Sequence, residues 1–118
     1  MRAIRGAITV EEDISEEVLQ ASEELLREII KNNSLLIEEF VSITFTATSD
    51  IKSVYPAVAA RKLGLDNVPL LCFQEMKVEN SLNKCIRVMV YINRDCKLED
   101  LPHIYLRKAV NLRPDLNN

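Results

Sequence analysis

The sequence predicts an α+β fold: a mixed β-sheet packed on one long and one short helix. Three observations carry that expectation. Period-two alternation of apolar and polar residues recurs in separated stretches, as in half-buried strands. One long run, Ile14 to Ile29, instead repeats its apolar residues at helical spacing. Only one further stretch has the punctuation of a helix, with Pro56 suited to its first turn and Gly64 just past its end. The 118 residues fit a single domain, 1–118, with no repeat, linker or low-complexity stretch to divide them.

Taken in order, Arg2 to Val10 reads as the first strand. Ile4, Ile8 and Val10 point one way, and Ala3, Arg5, Ala7 and Thr9 the other. Asp13 followed by Glu16 resembles a capping box, which opens the long helix carrying Ile14, Val18, Ala21, Leu25 and Ile29 on one stripe. Asn32-Asn33 ends it, because Asn tolerates the left-handed cap position. The next strand is the clearest: Val41, Ile43, Phe45 and Ala47 alternate with Ser42, Thr44, Thr46 and Thr48. Ser49 or Asp50 then caps the short helix. Asp66-Asn67 turns the chain into a third strand near Val68 to Phe73. A fourth runs from about Lys84 to Ile92 and a fifth from about His103 to Leu112. The order is β-α-β-α-β-β-β.

That order leaves a sheet face bare. Five strands span roughly 24 Å, whereas a helix is roughly 10–12 Å across. One long and one short helix cannot cover both faces, so packing alone predicts an oligomer.

Composition narrows the function. Fifteen Lys and Arg against eighteen Asp and Glu give a net charge of −3, which argues against a general nucleic-acid binder. The longest apolar run, Val68 to Phe73, is far below the ~18 residues of a membrane helix and carries Pro69. Glu11, Glu12 and Asp13 arrive before a signal-peptide core could form, so export is not expected. Cys72, Cys85 and Cys96 show no CxxC spacing and His103 is the only histidine. No metal site is expected, and a reduced, cytoplasmic setting is.

The charge is uneven along the chain. Ten acids fall between Glu11 and Glu39, whereas from Lys52 onward eleven bases face seven acids. An acidic protein can therefore carry a local cationic site. Its candidates sit in or beside strands. Arg87 shares a face with Cys85, Met89 and Tyr91, where a guanidinium must be paired or must meet an anion. Arg5 is flanked by the small Ala3 and Ala7. Glu75 follows the apolar run Leu70 to Phe73, and Arg113 follows Leu112. An internal salt bridge such as Arg87 with Glu75 is one reading. Three arginines against one carboxylate leave surplus charge, which favours a multiply anionic small molecule. No Ser or Cys nucleophile has a convincing His partner, and two glycines, Gly6 and Gly64, make no phosphate loop. An enzyme built this way works without a cofactor, by positioning and fixed charge.

Several separated segments agree with one family. Ile4-Arg5-Gly6-Ala7-Ile8-Thr9-Val10, Cys72-Phe73-Gln74-Glu75-Met76, Lys84-Cys85-Ile86-Arg87-Val88-Met89, His103-Ile104-Tyr105-Leu106 and Leu112-Arg113-Pro114-Asp115-Leu116 resemble the monofunctional, trimeric chorismate mutases. The resemblance covers essentially the whole chain in order. It implies a Claisen rearrangement of chorismate to prephenate on the route to phenylalanine and tyrosine. It also implies a homotrimer, a pseudo-α/β-barrel with active sites at subunit clefts. By the same resemblance, Arg87 faces the ether oxygen of the breaking bond. Glu75 accepts the substrate hydroxyl beside the backbone of Cys72, and Arg5 and Tyr105 hold a carboxylate. Tyr55, Ala57 and Arg61 line the cleft from a neighbouring subunit, and Leu112 with Arg113 closes its mouth. The chain departs from the pattern at Tyr55 (phenylalanine in the family), Val58 (lysine) and Leu71 (threonine). An ACT-like amino-acid-binding module and a trimeric imine deaminase-like enzyme are the alternatives from other classes. The βαββαβ order of the first fits poorly with three terminal strands.

Overall fold

Alternation in the sequence becomes one mixed sheet in the computed structural model, which describes residues 1–112. Its strands are β1 (Arg2–Thr9), β2 (Phe40–Ala47), β3 (Leu70–Gln74), β4 (Cys85–Ile92) and β5 (Ile104–Tyr105), in the order β3-β2-β4-β1-β5. β4 is antiparallel to both β1 and β2, whereas β3 runs parallel to β2 and β5 parallel to β1. Two helices connect them: α2 (Ala57–Lys62) supplies the crossover between the parallel pair β2 and β3, and α1 (Ser15–Asn33) carries the chain from β1 to β2, which flank β4 on either side.

Both helices lie on one face, as the alternation requires. Ile4 and Ile8 of β1, Ile43 and Phe45 of β2, and Ile86, Val88, Val90 and Ile92 of β4 form one buried cluster with Val18, Leu25, Leu26 and Ile29 of α1. Ala57 and Ala60 of α2 join the same cluster. Gly6 lets α1 come close. A Cβ there would lie 2.8 Å from Ile29 Cδ1, 3.1 Å from Leu25 Cδ1 and 3.2 Å from the Ile104 carbonyl oxygen. Helix, β1 and β5 are thus seated together directly beside Arg5.

Several boundaries differ from the sequence expectation, each for a local reason. The fifth strand stops after Tyr105 and gives way to a 3₁₀ turn, Arg107–Leu112. Arg107 adopts φ 55°, which ends the extended run. Its Nη1 donates to the Thr9 carbonyl at 3.0 Å, and the Lys108 N–H donates to Thr9 Oγ1 at 3.2 Å. The segment Arg107–Leu112 is thereby wrapped over β1 rather than aligned with it. Residues 106–112 consequently do not share one strand face. Asp13 does not cap α1. It accepts hydrogen bonds from the backbone of Lys52 at 2.8 Å and Ser53 at 3.1 Å, and Ile14, the N-cap residue, is half exposed. Ser34, not Asn33, takes the left-handed position at the other end, with φ 49°. Neither Ser49 nor Asp50 caps α2: Pro56 stands at its N-cap, and Asp50 accepts from the Lys84 backbone and from Thr48 Oγ1. Gly64 follows α2 with φ 82°, as expected of a residue just past a helix end. Val41 faces solvent because the β2–β4 register shifts between Phe40 and Ser42.

Arg94 locks the two ends of this framework. Its Nε and Nη2 donate to the two Glu39 carboxylate oxygens at 2.7 and 2.8 Å. Its Nη1 donates to the Asn33 carbonyl at 2.9 Å, and Nη2 reaches that of Ser34 at 3.2 Å. The last carbonyls of α1 are satisfied by the same side chain that fixes the start of β2. Hydrogen bonds from Arg94, then from the Leu36 N–H, hold the Glu39 carboxyl down at about 2. An unfolded Glu titrates at ~4.3. The folded value is the lower one, so this stabilisation is complete above that unfolded value and is lost as pH falls toward 2. The expected result is a Tm that drops between about pH 4.5 and 2, and less steeply in Arg94→Met, which also melts lower at neutral pH. Equal acid slopes in the two proteins would show that the pair carries no pH-linked stability.

Candidate active site

On the face away from the helices, period two collects Arg5 from β1, Thr44 and Thr46 from β2, and Arg87, Met89 and Tyr91 from β4. Together with Tyr105 of β5 they line a cavity of about 410 Å³. The register fixes who meets whom. Ala7 lies opposite Arg87 and Arg5 opposite Met89 on the β1–β4 pair, while Thr46 lies opposite Arg87 on the β2–β4 pair. Arg5 and Arg87 are thus on adjacent strands, two residues out of step, with the small Ala7 as the β1 residue opposite Arg87.

Glu75 enters from the end of β3. Its backbone N–H donates to the Ala47 carbonyl at 2.9 Å, which carries the parallel pairing one residue past Gln74. The carboxylate then meets Arg87 in a two-pronged pair: Nε donates to Oε2 at 3.0 Å, and Nη2 donates to Oε1. Thr46 Oγ1 donates to Oε2 at 2.5 Å. The Arg87 hydrogen bond is the main force holding the Glu75 carboxyl below the usual carboxylate range; burial opposes it and Thr46 adds to it. The same pairing raises the Arg87 guanidinium further above its already high value, so it stays charged. The internal salt bridge foreseen in the sequence is formed. Arg87 is not sealed in, however, because half of its side chain remains open to solvent.

Support comes from below and beside. Tyr105, 6% exposed, packs with Ala7, Cys85 and Ala109, and Leu112 rests against that cluster. Burial pushes the Cys85 thiol up to about 11, which leaves it an inert packing group. The Arg5 N–H donates to His103 Nδ1 at 2.9 Å, so an imidazole holds the β1 backbone where β5 has not yet begun.

The single chain does not bring every expected site residue to this cavity. Tyr55 lines a separate space of about 630 Å³ with Lys52, Cys72 and Phe73. Ala57 is buried in the core, and Arg61 projects from α2 into solvent. The Cys72 side chain packs against the helix-side core, where burial raises its thiol, while Leu71 and Phe73 face the open side and are 62% and 53% exposed. Arg113 lies outside the described residues. Sequence reasoning missed Thr46, which read as the polar side of a strand. The alternation does put it on the Arg87 face, but the inter-strand register that sets it opposite Arg87 is not written in either strand alone. Among the described residues, no group of three or more His, Cys, Asp or Glu is gathered to hold a metal. No helix among them is long and apolar enough to cross a membrane.

An α+β chain with two arginines and one carboxylate on an open sheet face has the shape and surplus positive charge to receive a small anionic molecule. The profile of one family, chorismate mutase type I, matches residues 1–116, and the chain belongs to that family. It is similar to the chorismate mutase AroH of Bacillus subtilis (strain 168), 47% identical over 118 residues that cover 99% of this chain and 93% of that protein. The chorismate mutase AroH of Thermus thermophilus is 46% identical over 119 residues, covering 100% of this chain and 98% of that one. A solved chorismate mutase structure from Clostridium thermocellum superposes with a TM-score of 0.90 at 40% identity, covering 92% of this chain and 97% of that one. The fold class expected from the sequence is thereby established. The ACT-like and imine deaminase-like alternatives gain nothing from these relatives.

Proposed function

We propose that chorismate rearranges to prephenate on the open sheet face, between Arg87, Glu75 and Arg5. The activity is that of an intramolecular isomerase of aromatic amino acid biosynthesis. One ether C–O bond breaks as one C–C bond forms, and no proton is transferred. The observation that carries the assignment is the Arg87–Glu75 pair, half open to solvent, with a second arginine on the adjacent strand.

Charge builds on the ether oxygen as its bond breaks. A cation fixed there binds the transition state more tightly than the ground state, which is the condition for a faster chemical step. Arg87 is that cation. Its Nε and Nη2 donate to Glu75; with chorismate bound, the ether oxygen takes one of those places and the substrate hydroxyl donates to Glu75. Arg5 and Tyr105 hold a carboxylate. The backbone of Cys72 borders the site on the β3 side. Because Arg87 holds the Glu75 carboxyl low and Glu75 raises the Arg87 guanidinium further, this pair keeps one charge state across the neutral range.

The rest of the site comes from a second copy in a homotrimer. The helix-free face exposes Leu71 and Phe73, and Tyr55, Ala57 and Arg61 lie outside the Arg87 cavity of their own chain. A neighbouring subunit's Tyr55 and Arg61, the exposed members of that set, complete the wall, and Leu112 closes the mouth. The partners are chorismate and the other subunits, with no nucleic acid, membrane or cofactor, in the cytoplasm. Mixing the purified protein with chorismate is expected to consume it and yield an equal amount of prephenate. Unchanged chorismate would overturn the assignment.

A further inference from the structure

Glu75 stands one residue past the end of β3, its backbone N–H still bonded to the Ala47 carbonyl of β2 at 2.9 Å. Two groups from two strands hold its carboxylate. Arg87 of β4 spans both oxygens, and Thr46 of β2 donates to Oε2 at 2.5 Å. Thr46 stands directly opposite Arg87 in the β2–β4 register, so its hydroxyl and the Arg87 Nε meet at the same oxygen. Catalysis asks Arg87 to serve the ether oxygen as well. Once it does, the contact that still keeps Oε2 against the sheet is the Thr46 hydroxyl. A hydroxyl on a carboxylate makes a short, charge-assisted bond that holds direction as well as distance.

We propose that Thr46 is the positioning residue for Glu75: it pins Oε2 so that Oε1 is presented to the substrate hydroxyl while Arg87 turns to the breaking bond. This rests on the reading of Glu75 given above. Thr46 itself does not touch the reacting atoms. Its removal therefore loosens substrate orientation rather than removing the charge that stabilises the transition state.

The test is Thr46→Val, which keeps the branched shape and deletes the donor, alongside Thr46→Ser, which keeps the donor. Thr46→Ala guards against a packing effect peculiar to valine, and thermal melts report folding. The expected result for both donor-less variants is a KM for chorismate raised about tenfold, with a smaller fall in kcat, as for one lost hydrogen bond to a charged group. Thr46→Ser is expected within about twofold of wild type, since it retains the donor. In a Glu75→Ala background, adding Thr46→Val is expected to change kcat/KM by less than about twofold, because the coupled partner is gone. An active wild type whose Thr46→Val and Thr46→Ala variants have normal KM would overturn the assignment. So would the same tenfold penalty with Glu75 absent. A wild-type protein that leaves chorismate unchanged would instead overturn the functional reading, and this one with it.

Discussion

Replacing the Arg87 guanidinium with citrulline, its neutral isostere, is expected to lower kcat by about a hundred- to a thousandfold, or ~3–4 kcal/mol, while the protein stays folded. Citrulline keeps the planar shape and part of the hydrogen bonding, so what it removes is the charge. If Arg87 only held a substrate carboxylate, losing the charge would weaken ground and transition states alike, and KM would rise with kcat unchanged. A charge aimed at an oxygen that becomes negative only as the bond breaks must show itself in kcat. Folding is expected to survive because half of the Arg87 side chain is already exposed and Glu75 keeps its bond from Thr46. Lysine at this position is expected to recover part of the loss, since it restores charge but cannot span both Glu75 oxygens. Single-turnover and steady-state rates with chorismate, read beside a thermal melt, check all three proteins. A citrulline variant with near-normal kcat would show that Arg87 does not catalyse by charge.

The division between what the sequence made legible and what it did not follows the range of the interactions. β4 was readable because Ile86, Val88, Val90 and Ile92 are consecutive alternate positions on one buried face, and each needs only its own neighbours to be recognised. Arg87 stood out against that alternation for the same reason. Gly64 and Pro56 marked the ends of α2 through local backbone preference alone. The final element was misread because its outcome depends on residues far away. The alternation from Ile104 to Leu112 suits a strand, but Thr9 and Glu24 capture Arg107, and the chain turns. Asp13 likewise has the spacing of a helix cap, yet the Lys52 and Ser53 N–H groups, some forty residues on, take its carboxylate. The candidate site shows the same split. Arg5, Glu75 and Arg87 announce themselves as charges among apolar strand residues. Thr46 does not, because its importance lies in facing Arg87 across a register that pattern reading cannot supply.

Mixing two inactive variants, Arg61→Ala and Arg87→Ala, is expected to restore activity once their subunits exchange. Arg61 is exposed on α2 and does not line the cavity that holds Arg87 in the same chain, whereas Tyr55, from the loop before α2, lines another one. If one subunit's Arg61 completes its neighbour's site around a closed ring, each site needs Arg87 from one chain and Arg61 from the next. In a random equal mixture, a site has both when an Arg61→Ala chain supplies Arg87 and an Arg87→Ala chain supplies Arg61. By cyclic symmetry this gives roughly a quarter of the wild-type sites. If both residues served a site within one subunit, every site would lack one of them and recovery would be nil. The contrast is a regained activity against none, so it does not depend on small differences in rate. Light scattering should first give the mass of a trimer at micromolar protein, as the exposed Leu71 and Phe73 on the bare face lead one to expect. A monomer mass would remove the shared site outright. Native mass spectrometry of subunits carrying different tags should then prove the exchange. Absence of recovery in a mixture whose hybrids are demonstrably present would place Arg61 outside the neighbour's site and leave the open face to Arg5, Glu75 and Arg87 alone.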